Sequence, residues 1–231
     1  MQKIRNWQWI ELEETTSTND AVKEIDGDKT IITAKRQTAG RGRIGRKWFS
    51  QEGNLFLSQI MQSNTPMSEL CFIASLSVAE TLDDIIKKSS IGIKWPNDVL
   101  LNEKKVCGIL LEKAENKTII GLGVNLVSHP QLSETKYQTT DLQEQGVSIS
   151  REQFLQIYLN KFDENYIKGQ KNFAFIRQKW LDKALYINKD IKISQKNKTE
   201  AGIFRGIDQN GLLLLEQNGT IKTIAAGDVF L

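Results

Sequence analysis

Thr38 to Ser50 reads "TAGRGRIGRKWFS", with Gly40, Gly42 and Gly45 set among Arg41, Arg43, Arg46 and Lys47 and Trp48 directly after. Glycine lets backbone N–H groups approach an anion closely, and a guanidinium presents a planar fork that binds phosphate or carboxylate through two donors at once. From Lys29 to Gln51 the chain carries seven lysines or arginines and no acid. This is the composition of an anion site; the plainer alternative is a solvated basic loop. Of two nucleotide motifs, one fits in letters only and the other nearly fits. Gly40 to Gly45 satisfies G-x-G-x-x-G, but "RKWFSQEGN" shows no helical periodicity and reads as loop, whereas the dinucleotide fingerprint needs a helix there. The same run misses G-x-x-x-x-G-K-[ST], because Arg46 stands at the lysine and Lys47 at the hydroxyl.

A second group of candidates lies in "KWPND" and "NEKKVCG": Lys94, Asp98 and Lys105. Charges so close to apolar strand runs need partners, and Pro96 fixes the turn that aims them. The alternatives are a lysine at a hairpin tip and a Lys94–Asp98 surface ion pair worth under about 1 kcal/mol. Gly108, Gly121 and Gly123 allow close approach to strand backbone, or mark bulges. His129 is the only histidine, and Cys71 and Cys107 fall in a helical and a strand pattern. Buried reduced thiols are expected, and no histidine triad or zinc cluster can be assembled.

The elements that must position these residues are readable in outline. Ser17, Thr18 and Asn19 are caps ahead of a short helix, and "TIITAK" is a buried strand. "NLFLSQIM" is a strand, and "TPMSELCFIASLSVAETLDDIIKK" a helix with Thr65 as cap, Pro66 in its first turn and apolar residues at 70, 73, 78, 82, 85 and 86. "IGIKW", "DVLL", "VCGILLE" and "TIIGLGVNLV" form an antiparallel meander. Ser150 and Gln153 make a capping box for a helical stretch running to about Tyr186. From 187 the texture becomes that of a small all-β barrel, with turns at "DQNG" and "QNG".

At 231 residues, 39% hydrophobic and 26% charged, the chain is long enough for a substantial core. No apolar run is long enough to span a membrane and no leader opens the sequence, so a cytoplasmic protein is expected. A net charge of +3 is too modest for a dedicated duplex binder.

"TTSTND", "QTAGRGRIGRKWFS", "GNLFLS", "KWPNDVLLNEKKVCGILLE", "GLGVNL" and the closing "GIDQNGLLLLEQNGTIKTIAAGDV", in that order over nearly the whole chain, resemble the biotin protein ligases. The resemblance implies an α+β fold: a mixed, mainly antiparallel sheet with helices packed on it, of the class II synthetase type (1–186), then a small SH3-like β-barrel (187–231). It implies formation of biotinyl-5′-AMP from biotin and MgATP and transfer of biotin to one lysine of a biotin carboxyl carrier protein. By resemblance Lys105 contacts the biotin carboxylate and then the phosphate, Arg43 follows the same charge, Asp98 orients or deprotonates the incoming lysine, and Lys94 supports the phosphates. Ser17, Thr18, Asn19, Gln37, Gly40, Arg41, Arg43, Lys105 and Gly108 are the implied biotin contacts. Arg43, Arg46, Trp48, Asn97, Lys105 and Asn125 are the implied ATP contacts; metal ligands are not assigned. The chain departs from the pattern at Ile44, where relatives often carry arginine, and at Gln51, where they carry proline. It starts almost at the catalytic module, so a DNA-binding repressor role is not expected; a monomer or homodimer is. The competing readings are a lipoate-type ligase of the same fold and, in a different class, an RNA-binding module with Trp48 as stacking platform.

Overall fold

The computed structural model describes residues 2–87, 89–131, 138–195 and 198–231. Its centre is an eight-stranded sheet in the order β1-β2-β3-β4-β8-β7-β6-β5. These strands are β1 (Gln2–Ile4), β2 (Trp7–Thr15), β3 (Thr30–Gln37), β4 (Leu55–Met61), β5 (Ile91–Lys94), β6 (Asp98–Leu101), β7 (Lys104–Ala114) and β8 (Lys117–Val124). The β2–β3 pair is parallel and the other ladders are antiparallel, giving the mixed, mainly antiparallel sheet expected, with β5 to β8 as the meander. β1 and β2 were not anticipated from sequence.

The central strands are buried on both faces, and alternation sorts their side chains. Ile31 and Ile120 join the main core, while their neighbours Ile32 and Ile119 join a small satellite cluster with Val22 and Ile60. Against the main-core face pack α2 (Met67–Ile85), α3 (Arg151–Lys171) and α4 (Phe173–Lys183). On the satellite face lies the four-residue helix α1 (Thr18–Ala21).

Helix starts show where local chemistry decides. The Ser150–Gln153 capping box is complete, each side chain bonded to the other's backbone. Thr65 does not cap α2: Pro66 occupies the N-cap position without a side-chain bond, since a fixed φ and an extended ψ already set the chain's entry. Ser17 occupies the N-cap of α1 but makes no capping bond, and Thr18 and Asn19 lie inside the helix rather than ahead of it. Their side chains are engaged elsewhere, as described below. The last helix stops at Lys183, three residues short of Tyr186, whose positive φ belongs to the turn that follows.

A five-stranded antiparallel sheet follows, in the order β12-β11-β10-β9-β13, built from β9 (Asp190–Ser194), β10 (Thr199–Ile207), β11 (Leu213–Gln217), β12 (Thr220–Ile224) and β13 (Asp228–Phe230). No β12–β13 ladder closes it into a barrel among the described residues. The apolar core is continuous from one sheet to the other: Ile193, Phe204, Leu213, Leu215 and Val229 belong to the same cluster as α2 and α3. Phe72 of α2 meets Trp180 of α4 edge-on at 4.9 Å, Gly211 lies against Phe72, and Trp95 Nε1 donates to the Gly211 carbonyl at 3.2 Å. Gly211 has a φ of +80° and no room for a Cβ beside that ring, so glycine is required there on both counts.

Cys71 and Cys107 are free thiols; Cys107 is buried as expected, whereas Cys71 is only partly buried, its thiol turned to the Pro96 carbonyl at 3.5 Å. Burial pushes Cys71 up to about 12 and raises Cys107 as well. At pH 8 roughly one Cys71 in 10⁴ is then a thiolate, so Ellman's reagent should leave the native protein unlabelled and should titrate both thiols in guanidinium. Rapid labelling of either thiol in the native state would contradict the burial.

Candidate active site

On the face opposite α2, α3 and α4, a cavity of about 1170 Å³ opens between α1, the glycine-arginine loop and the glycine-bearing strands β7 and β8. Ser17, Thr18, Asn19, Gln37, Gly40, Arg41, Arg43, Arg46, Trp48, Asn97, Asp98, Lys105, Gly108 and Asn125 all line it. Lys94 does not. It is buried behind the wall, where desolvation lowers its pKa, with its ammonium 5.4 Å from the Phe230 ring centroid.

One end of the cavity is a neutral polar head. Thr18 donates to Gln37 Oε1 through its backbone N–H at 2.9 Å and its hydroxyl at 3.1 Å, and Gln37 Nε2 donates to Ser50 Oγ at 3.1 Å. Ser58 Oγ, from β4, lies 2.8 Å from Thr18 Oγ1 and 2.5 Å from Asn19 Oδ1. With its carbonyl engaged, Asn19 keeps a buried Nδ2 that has no partner. An orphaned buried donor is costly, and an acceptor on a ligand would satisfy it. Gly121 lies directly under Asn19, where a Cβ would collide with the amide.

The roof is the basic loop, tied down at three arginines. Arg41 forms a two-pronged pair with Asp20 of α1 and reaches Glu112 at 3.4 Å, and Lys23 braces both acids at 2.9 and 3.1 Å. The Arg41 hydrogen bond holds the Asp20 carboxyl well below the usual carboxylate range, and Asp20 in turn raises Arg41. Arg43 Nη1 donates to Asn97 Oδ1 at 3.2 Å and to the Gly227 carbonyl at 3.4 Å. Arg46 pairs with Asp228 at the start of β13. Between these ties the loop makes a single 3₁₀ turn, Arg43–Gly45, with Ile44 at φ +55° and Gly45 at φ +70°. A β-branched residue in the left-handed region is strained, and Ile44 is held there two-thirds exposed.

The floor carries the remaining charge. Lys105 Nζ and Asp98 Oδ1 are 2.7 Å apart with side chains 20% and 15% exposed. Lys105 lies within β7, not at the hairpin tip, and Asp98 pairs with it, so the alternative of a Lys94–Asp98 surface pair gives way to a half-buried Lys105–Asp98 pair. Trp48 lies across Gly108 and Gly123: a Cβ at Gly108 would stand 2.7 Å from its ring, and Lys105 Nζ is 5.3 Å from the ring centroid. Gly108 and Gly123 pair in regular register, so close approach and not a bulge explains these glycines. The indole Nε1 is buried without a partner. Asn97 is spent on the Ile109 carbonyl at 2.6 Å and on Arg43, while Asn125 donates to the Thr140 carbonyl at 3.0 Å and leaves Oδ1 unpartnered.

Sequence reasoning missed Ser50, Ser58, Asp20, Glu112 and Asp228. A serine set within the apolar run "NLFLSQIM" is the sequence signal that finds Ser58; Asp228 acts only because the second sheet docks, which no local pattern shows. His129 gains a partner, Asp141, at 2.7 Å, and that pair joins the two ends of the segment 129–141.

Together these parts define a class: a mixed-sheet enzyme scaffold whose cavity holds a neutral polar head at one end and a cationic roof and floor at the other. The Biotin/lipoate A/B protein ligase family matches residues 10–126, and the Biotin protein ligase C terminal domain matches residues 186–231. The Bifunctional ligase/repressor BirA of Bacillus subtilis is 37% identical over 213 residues, 87% of this chain and 65% of its own length. The Biotin--[acetyl-CoA-carboxylase] ligase of Paracoccus denitrificans is 33% identical over 95% of this chain and 98% of its own. The structure of the Aquifex aeolicus biotin protein ligase in complex with biotin and ATP superposes with a TM-score of 0.87 at 34% identity, covering 96% and 97% of the two chains. The chain belongs to the biotin/lipoate A/B protein ligase family. It spans about two thirds of the length of the Bacillus relative.

Proposed function

We propose that the protein activates biotin with MgATP to biotinyl-5′-AMP and transfers the biotin to one lysine of a biotin carboxyl carrier protein. The observation that carries this is the polarity of the cavity. A ureido ring offers N–H donors and a carbonyl acceptor, matched by the Thr18, Asn19 and Gln37 head, while a carboxylate and a triphosphate need the cationic end. The match to the biotin ligase C-terminal domain favours biotin over lipoate, and the small net charge argues against an RNA module.

The first step places a carboxylate oxygen against the α-phosphorus of ATP; the new P–O bond forms as the bond to pyrophosphate breaks. Both reactants are anions, so positioning and charge supply most of the catalysis. Lys105 lies where it can turn from Asp98 to the carboxylate and then to the phosphate oxygen, and Arg43 and Arg46 extend that charge from the roof. Trp48 must leave Gly108 and Gly123 for a ligand to lie on the strands, and it then stacks on the ligand or covers it. In the second step the acceptor amine attacks the acyl carbon, AMP departs with the C–O electron pair, and Asp98, freed from Lys105, takes the amine's proton. The described residues form no cluster of three metal-ligating side chains; magnesium fits as the counter-ion carried by the phosphates. Residues 1–186 would hold the chemistry and 187–231 anchor the loop through Gly227 and Asp228. Lys94 would act on the phosphates only at a distance. No helix of the described residues is long and apolar enough to cross a membrane; a cytoplasmic monomer or homodimer without DNA binding completes the reading.

The decisive experiment is intact-mass analysis of a carboxyl carrier domain after incubation with the protein, biotin and MgATP. One biotin on one lysine is expected. An unmodified carrier together with no biotin-dependent ATP–pyrophosphate exchange would overturn the proposal.

A further inference from the structure

We infer that Lys117, outside the cavity and at the far end of β8, is a positioning residue for the cavity's polar head, so that it sets the affinity for the ring of the small substrate and not the chemistry at its carboxylate. The inference rests on the proposed biotin reading.

α1 has only four residues, too few for a helix to hold itself in place without outside support. Gln37 of β3 and Ser58 of β4 hold its first residues, and one face of β8 supports the rest, where alternation presents Lys117, Ile119 and Gly121 in a row. Gly121 gives Asn19 room to lie on the strand, and Ile119 packs in the satellite cluster with Val22, the residue after the helix. Lys117 completes the row: its Nζ donates to the carbonyls of Lys23 and Ile25, both at 2.7 Å. The lysine is 5% exposed, and no carboxylate ion-pairs with it among the described residues. A buried ammonium without an anionic partner is expensive unless its protons are used, and here the backbone following α1 uses two of the three.

The carbonyl it holds belongs to Lys23, whose own side chain braces Asp20 and Glu112, the two acids that hold Arg41. Displacing the segment 22–25 therefore disturbs Thr18 and Asn19 on one side and the Arg41 end of the loop on the other. Lys105 and Asp98 pair with each other, Arg43 reaches Asn97 and Gly227, and Arg46 reaches Asp228, all away from that segment. A residue of this kind should split binding from turnover.

Two variants test it. Lys117→Met keeps the length and removes every donor; Lys117→Gln keeps an amide able to serve one carbonyl. Biotin affinity by calorimetry and the KM for biotin in pyrophosphate exchange should weaken about tenfold or more for Met and less for Gln. The KM for ATP and kcat at saturating biotin should stay within about twofold. Either folded variant with wild-type biotin affinity overturns the inference, and so does parallel loss of biotin affinity, ATP affinity and kcat. If the Met variant does not fold, the Gln variant decides alone by the same criteria. A wild type that binds no biotin would instead overturn the functional proposal.

Discussion

Lys105→Ala is expected to lower biotin-dependent pyrophosphate exchange by roughly 10²–10³, or about 3–4 kcal/mol of transition-state stabilisation, the scale found when one preorganised donor to a developing charge is removed. The geometry makes the loss specific. Lys105 is the cation on the cavity floor, and the Trp48 ring and the strand backbone at Gly108 enclose it. Its removal also leaves Asp98, 15% exposed, without its ion-pair partner, so the fold should weaken by about 1–2 kcal/mol, a fall in Tm of about 2–8 °C. The two effects are separable by assaying well below the variant's Tm. Exchange near the wild-type rate in a folded Lys105→Ala protein would remove Lys105 from the chemistry.

Arg43→Gly should produce a different phenotype, in which a damaged enzyme labels more targets than the intact one. A mixed anhydride of biotin and AMP reacts with water and with any free amine, so specificity requires that it be retained until the carrier lysine arrives. Arg43 ties the roof both to the Asn97 turn and to the second sheet at Gly227, and its replacement removes both ties while placing glycine at 40, 42, 43 and 45. Lost charge-assisted bonds and the added backbone entropy amount to about 2–4 kcal/mol, so the off-rate of the intermediate should rise by roughly 10². Serum albumin incubated with the variant, biotin and MgATP should then become biotinylated, while the wild type labels its carrier alone. Streptavidin blotting reads the result. A clean bystander alongside normal carrier labelling would show that Arg43 does not hold the intermediate.

The parts of this architecture that were legible in the sequence are those fixed by local chemistry. The β5 to β8 meander could be read because apolar runs alternate with "NEKK" and "ENK", and the Ser150–Gln153 box because both of its bonds are local. The Thr65 cap failed because Pro66 sets the same entry without a hydroxyl. β2 escaped notice because its outer half alternates acids with apolar residues at the sheet's margin, a pattern too weak to separate from loop. At the site, the glycines and arginines of the loop announced an anion, and the cavity contains every sequence candidate but Lys94. What was illegible is the set of acids that hold Arg41 and Arg46. Asp20, Glu112 and Asp228 lie 21, 71 and 182 residues from their partners, and only the folded chain brings them together.

The position of Trp48 has a spectroscopic side. Trp7, Trp9, Trp95 and Trp180, the other four of the chain's five tryptophans, are sealed in the interior, so their emission is a fixed background. Trp48 alone lies where an incoming ligand must go, with an unsatisfied indole N–H and a lysine ammonium over its ring. The protein therefore carries its own optical probe of occupancy, in which a change of intensity or wavelength on filling the cavity comes from one fluorophore against the steady emission of four others, without any label being attached.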